Sequence, residues 1–144
     1  MNIARLLATK GDLVVTVRPE QTIREALRLL ARHNIGALVV VDDDRLPVGI
    51  VSERDVVRAA ARDEEVFALA VSAIMTRDVI VGAPHDDLLT VGVTMTDRRI
   101  RHLPVVHRGQ LVGIVSIGDV VKAERDRYRG EVDTLHIMIL GEAT

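Results

Sequence analysis

Cysteine is absent from this chain of 144 residues, which excludes disulfide bridges, thiolate zinc sites and thiol nucleophiles. Aromatic residues are nearly absent: Phe67 and Tyr128 are the whole stock, and there is no tryptophan. A flat base bound here would meet aliphatic walls, whereas platforms for single-stranded nucleic acid stack bases on rings. Neither sign of charge dominates. Lys and Arg number 19 against 21 Asp and Glu, a formal net charge of −2, far from the basic excess of a dedicated nucleic-acid binder. No apolar run approaches the ~20 residues that span a membrane. The start, Met1-Asn2-Ile3-Ala4-Arg5, lacks the pattern of a secretory signal. The expectation is a soluble cytoplasmic protein that engages neither nucleic acid nor membrane. Val, Leu, Ile and Ala supply nearly all of a hydrophobic fraction of 48%, enough for one domain or two small units sharing a core.

What is present is a repetition. Gly49-Ile50-Val51-Ser52-Glu53-Arg54-Asp55-Val56-Val57-Arg58-Ala59 returns as Gly113-Ile114-Val115-Ser116-Ile117-Gly118-Asp119-Val120-Val121-Lys122-Ala123, a shift of 64 with eight of eleven positions identical. Upstream the echo continues at a shift of 65, pairing Pro19 with Pro84, Leu30 with Met95, and Leu38 with Leu103. An internal repeat predicts two like halves, packed about a pseudo-twofold axis with two related clefts.

Each half reads β-α-β-β-α. Residues 13–17 form an apolar run that breaks at Arg18-Pro19, a strand and its end. Thr22-Ile23-Arg24-Glu25 fits a capping box. Ile23, Ala26, Leu27 and Leu30 then share one helix face, which Asn34-Ile35-Gly36 ends. Residues 37–41 are continuously apolar, as a strand buried on both faces should be. A turn at Asp42-Asp43-Asp44-Arg45 leads to a returning strand, and residues 52–61 predict a second helix. The second half offers a strand at 79–81, a helix at about 87–96, a hairpin closed at Arg108-Gly109, and a helix from Ser116. Phe67, Ala70, Val71 and Ile74 predict a short amphipathic helix between the halves, like one at the N-terminus. The last helix extends to about Leu140, with an interruption expected at Gly130. Its stripe of Val132, Leu135, His136 and Ile139 either packs on its own domain or forms a dimer contact.

Chemistry could sit in three places. Ser52-x-x-Asp55 and Ser116-x-x-Asp119 each follow a buried strand and open a helix. Such a pair caps a helix without any ligand. Equally, a helix start offers N–H groups and a positive dipole end to phosphate, and the Asp can accept both hydroxyls of a ribose. Second, Gly36 and Ala37 leave room for a flat group, while their counterparts Arg101 and His102 close the basic run Arg98-Arg99-Ile100-Arg101-His102. A cation at a strand mouth can meet phosphate, although such a run is usually a solvated face. Third, Thr16, before Val17, could hydrogen-bond a base or ribose, or serve only as a β-branched strand residue. Its repeat mate is Val81. No Gly-x-Ser-x-Gly, His-Glu-x-x-His or Walker loop is present, and the five histidines show no metal-ligand spacing.

At these residues the chain resembles a tandem pair of CBS domains, the Bateman module. The motifs that carry the likeness are His33-Asn34-Ile35-Gly36-Ala37-Leu38-Val39-Val40-Val41-Asp42, Gly49-Ile50-Val51-Ser52-Glu53-Arg54-Asp55, Arg101-His102-Leu103-Pro104-Val105-Val106 and Gly113-Ile114-Val115-Ser116-Ile117-Gly118-Asp119. It is similar in particular to small stand-alone bacterial proteins that are a CBS pair and little else. The resemblance implies an α/β (α+β) fold of two CBS β-α-β-β-α repeats related by a pseudo-twofold axis: repeat 1 with an N-terminal helix over 1–64, repeat 2 with a connecting helix over 65–125, and a helical extension over 126–144. It implies a non-enzymatic sensor that binds AMP, ADP, ATP or NAD(H), needs no metal, forms a homodimer and reports energy or cofactor status to a regulated partner protein. A ligand-free interaction homodimer is the alternative.

The resemblance also assigns residues. Asp55 and Asp119 would bind ribose, with Ser52 and Ser116 near ribose or phosphate. Arg101 and His102, just before Leu103-Pro104, would reach phosphate. Val17, Ala37, Ile50, Leu103 and Ile114 would enclose adenine, with Thr16 beside them. The sequence departs from the pattern at Val81 and Gly82, and Gly36 and Ala37 bring no charge. Phosphate near the first half would need Arg54 or the Arg101 cluster, so the two clefts are expected to differ.

Overall fold

In the computed structural model, residues 1–142 are described. The last two positions of the expected 126–144 extension lie outside them. The first repeat contains β1 (Thr16–Val17), α2 (Ile23–His33), β2 (Ala37–Val41), β3 (Pro47–Ser52) and α3 (Glu53–Ala60), preceded by α1 (Ile3–Lys10). The second contains α4 (Leu88–Asp97), β4 (His102–His107), β5 (Gln110–Ser116) and α5 (Ile117–Glu142).

Strand β2 is buried at every residue, because β1 and β3 flank its edges and the lobe's apolar core covers it. It runs parallel to β1 and antiparallel to β3, with Ala37 opposite Ser52. In the second lobe β4 and β5 form a two-stranded antiparallel sheet that sets His102 opposite Ser116. Their turn has positive φ at both Arg108 (50°) and Gly109 (73°), the backbone of a tight hairpin loop. Thr22 caps α2 by accepting the Glu25 N–H at 3.2 Å, but the box stays half made: the Glu25 carboxylate accepts from Gln21 Nε2 instead.

Each lobe has its own apolar core, and the connecting segments are exchanged between them. Ile3, Leu6 and Leu7 of α1 are buried with Leu88, Met95, Leu103 and Val115 of the second repeat. Val66 and Val71, which follow the first repeat, are buried with Ile23, Leu30, Leu38 and Val51. In packing terms α1, which precedes the first repeat, belongs to the second core. The close approach leaves no room beneath two repeat-related glycines. A Cβ on Gly49 would lie 2.6 Å from Met75 Sδ, and one on Gly113 would lie 2.6 Å from Leu7 Cδ1.

Four expected elements differ. The strand read over 13–17 shrinks to Thr16–Val17, and Leu13 is 74% exposed. The strand read over 79–81 is reduced to a single parallel bridge between Gly82 and Val105. A Cβ on Gly82 would meet Leu103 Cδ2 at 2.6 Å and Ile3 Cδ1 at 3.1 Å, so α1 fills the space that a larger residue would take. The amphipathic helix expected around Phe67–Ile74 is instead two 3-10 turns, Val66–Ala68 and Val71–Ala73. Finally, α5 runs through Gly130 without interruption. Its outer stripe does not pack on its own lobe, since Val132, Leu135 and Ile139 are all about half exposed (46–58%).

Candidate functional site

Both repeats build the same corner. A buried strand ends in a serine, the chain turns into a helix, and the helix's third residue is an aspartate. In the first lobe Asp55 Oδ2 accepts the Ser52 N–H at 2.8 Å and the Ser52 hydroxyl at 3.0 Å, while Ser52 Oγ accepts the Asp55 N–H at 3.2 Å. This is a reciprocal capping box. The Glu53 N–H is taken by the Gly36 carbonyl at 3.0 Å. Two of the first three N–H groups of α3 are thus already bonded, so the capping role expected of the pair is made at this corner. Side-chain cations are a second kind of partner for phosphate.

Those cations are at hand. A cleft of about 710 Å³ opens between the lobes, within the range of small-molecule sites. Ile50, Ser52, Arg54, Asp55 and Arg58 of the first repeat line it together with Arg98, Arg99, Arg101 and His102 of the second and with Thr76 and Asp78 between them in sequence. Five arginines and three acids, Glu53, Asp55 and Asp78, line this space. The Ile50 backbone is held by Thr76, which exchanges hydrogen bonds with it at 3.0 and 2.9 Å.

The second corner differs in one respect. Asp119 Oδ2 accepts the Ser116 N–H at 2.9 Å, and Ser116 Oγ accepts the Asp119 N–H at 3.0 Å. The place of the serine hydroxyl is taken by Lys10, whose Nζ donates to Asp119 Oδ2 at 2.6 Å and to the Ile114 carbonyl at 2.9 Å. Burial pushes the Asp119 carboxyl up, but the Lys10 and Ser116 hydrogen bonds outweigh it, so the group sits below the ordinary 3.8. His102 borders the first cleft and also feels Asp119 and Lys10. Burial holds its imidazole below the ordinary 6.5, against the pull of Asp119 and helped by Lys10 and Arg101.

Of the residues singled out from sequence, Ile50, Ser52, Arg54, Asp55, Arg101 and His102 come together in this one cleft. Ser116, Asp119 and Ile114 gather at the second corner around Lys10. Val17 is 1% exposed and belongs to the first core, and Leu103, at 2%, belongs to the second. Leu103 also lines a separate cavity of about 300 Å³ with Ile80, Gly82, Asp87 and Thr90. Ala37 and Pro104 are buried in their strands, and Thr16 is half-buried beside Val39. Arg58, Thr76 and Asp78 line the cleft without having been expected there. Arg58 lies one helical turn beyond Arg54, a spacing that could have indicated it. Lys10 carried no signal, because its partner is 109 residues away.

Among the described residues no cluster of acids or histidines is arranged to hold a metal, and no helix is long and apolar enough to cross a membrane. The sequence profile of the CBS domain matches residues 11–62 and again 71–126, and the chain belongs to that family. It is 36% identical over 127 residues to a mitochondrial CBS domain-containing protein of Arabidopsis thaliana, an alignment covering 85% of this chain and 62% of the plant protein. A crystal structure of a CBS-domain containing protein from Agrobacterium tumefaciens superposes with a TM-score of 0.80 at 43% identity, covering 85% of this chain and 92% of that one. A CBS domain protein from Pyrobaculum aerophilum, solved in complex with AMP, superposes with a TM-score of 0.75 at 31% identity, covering 83% and 89%.

Proposed function

We propose that this chain is a regulatory module that binds an adenine nucleotide (AMP, ADP or ATP) or NAD(H) in the cleft between its lobes. The observation that carries the reading is the meeting of Ser52 and Asp55 from one repeat with Arg101 and His102 from the other in a single space. An aspartate can accept the two hydroxyls of a ribose, and hydrogen bonds to a charged group contribute about 1.5–3 kcal/mol. Arginines across the gap suit a phosphate, which they bind with charge-assisted, often paired bonds. Ile50 offers an aliphatic wall to the base. The complex of the Pyrobaculum relative with AMP supports the same ligand class. Because such a ligand touches both lobes, it favours one lobe arrangement over another by its difference in affinity for the two. In this reading the module is regulatory, not catalytic, requires no metal, works as a homodimer and passes energy or cofactor status to a separate protein.

One observation favours a ligand-free interaction homodimer instead: both aspartates already make capping bonds. Calorimetric titration with AMP, ATP and NADH separates the two. A saturable heat with at least one of them, lost in Asp55→Ala, supports the sensor; flat titrations with all three end it. Saturating ligand at a hundred times its Kd should also stabilise the fold by ~2.7 kcal/mol.

A further inference from the structure

We propose that Lys10 makes the two clefts unequal, its ammonium holding the second one shut so that the first fills alone at low nucleotide concentration. The inference rests on the nucleotide reading of the first cleft. At both corners the aspartate Oδ1 has no hydrogen-bond partner among the described residues; the corners differ at Oδ2, which in Asp55 receives only the N–H and hydroxyl of Ser52. At the second, an ammonium sits on the two acceptors, Asp119 Oδ2 and the Ile114 carbonyl, whose repeat mates Asp55 and Ile50 line the open cleft.

The contact is built in. Leu7 is 9% exposed and packs over Gly113, fixing the last turn of α1 against β5. Gly11 closes that helix at φ 99°, with its N–H on the Leu7 carbonyl at 2.8 Å. Lys10 therefore leaves α1 one turn after its anchor, and its side chain is only 29% exposed where it meets Asp119. In the first lobe the Ile50 carbonyl is taken by the Thr76 N–H at 2.9 Å, and among the described residues no cation is hydrogen-bonded to Asp55. A ligand that uses Asp119 Oδ2 or the Ile114 carbonyl must displace a charged donor, and only Oδ1 of the half-buried carboxylate stays open to it. A charge-assisted bond of this kind corresponds to about a 10- to 100-fold loss of affinity. Lys10 is not among the buried residues of the second core, which α1 enters through Ile3, Leu6 and Leu7, so its substitution leaves that packing in place.

The test counts equivalents of AMP, and separately of ATP, bound per chain by calorimetry in the wild type, Lys10→Met and Lys10→Arg. The wild type and Lys10→Arg are expected to show one tight equivalent, with any second at least about 10-fold weaker. Lys10→Met is expected to show two equivalents of similar affinity, and the double variant Lys10→Met/Asp55→Ala one. Two equal equivalents in the wild type, or only one in a Lys10→Met chain whose unfolding midpoint is unchanged, would overturn the role of Lys10 and leave the nucleotide reading standing. No binding by any of these chains overturns both.

Discussion

Leu7 stands directly over Gly113: a Cβ added to that glycine would lie 2.6 and 2.8 Å from the two Leu7 methyl carbons. Leu7 is itself locked in the second core, so it has little room to retreat. Gly113→Val should lower stability by about 1–3 kcal/mol, the usual cost of overpacking. Urea unfolding measures it. An unchanged midpoint would mean that α1 lifts freely from β5.

Asp55 caps α3 and, in the proposed function, also accepts the ribose; substitutions separate the two. Asp55→Ala and Ser52→Ala each remove part of the capping box and should each lower stability by about 0.5–2 kcal/mol. Asp55→Ala should in addition weaken nucleotide binding by about 10-fold or more, through loss of the charged acceptor. Equal binding losses in the two variants would reduce the aspartate's role to capping.

Arg101 is exposed at the cleft mouth. Arg101→Ala should weaken AMP and ATP more than adenosine, because only the phosphorylated ligands lose a charge-assisted partner. Parallel titrations of the three give the comparison. A uniform loss would remove phosphate from its role.

His102 should make stability depend on pH. Burial lowers its folded pKa below the ordinary 6.5, with Asp119 opposing and Lys10 and Arg101 assisting. The unfolded chain then takes up a proton that the folded chain resists. The contribution is fully present above about pH 6.5 and is lost as pH falls below it. His102→Gln should flatten the fall in urea midpoint between about pH 7.5 and pH 5 relative to the wild type. Identical slopes in the two chains would contradict this.

Gly130 lies inside α5, and a Cβ there meets nothing within 4 Å. Gly130→Ala should therefore favour helix locally by about 1 kcal/mol. Slower amide exchange around residue 130, with the global midpoint unchanged, is the expected result, since this part of α5 is exposed and packs on neither core.

The repeat fixed much of the architecture in advance. The Ser-x-x-Asp corners, the hairpin at Arg108-Gly109 and the buried strand 37–41 were legible because each combines a local signature with a position in the duplication. Legibility failed where burial is set by partners distant in sequence. Leu13 and Val17 look alike in an apolar run, yet one is exposed and the other is core, because only Val17 pairs with β2. Phe67, Ala70, Val71 and Ile74 sit at helical spacing, yet 3-10 turns bring Val66 and Val71 inward and leave Phe67 40% exposed. Gly130 suggested a break, but on an exposed helix its cost is small beside the propensity of its neighbours. The meeting of Arg101 and His102 with Asp55 was anticipated through the family resemblance and not through a local pattern, because it follows from how the lobes face one another. Lys10 was invisible for the same reason.

The crossed placement of α1 and the 66–75 segment has a consequence for the life of the molecule as a whole. Neither repeat finishes its interior from a contiguous stretch of polypeptide, so scission midway would strand each fragment with a gap where the other's contribution belongs. The halves are duplicates by descent of pattern, but mechanically they are interlocked and should melt in a single step.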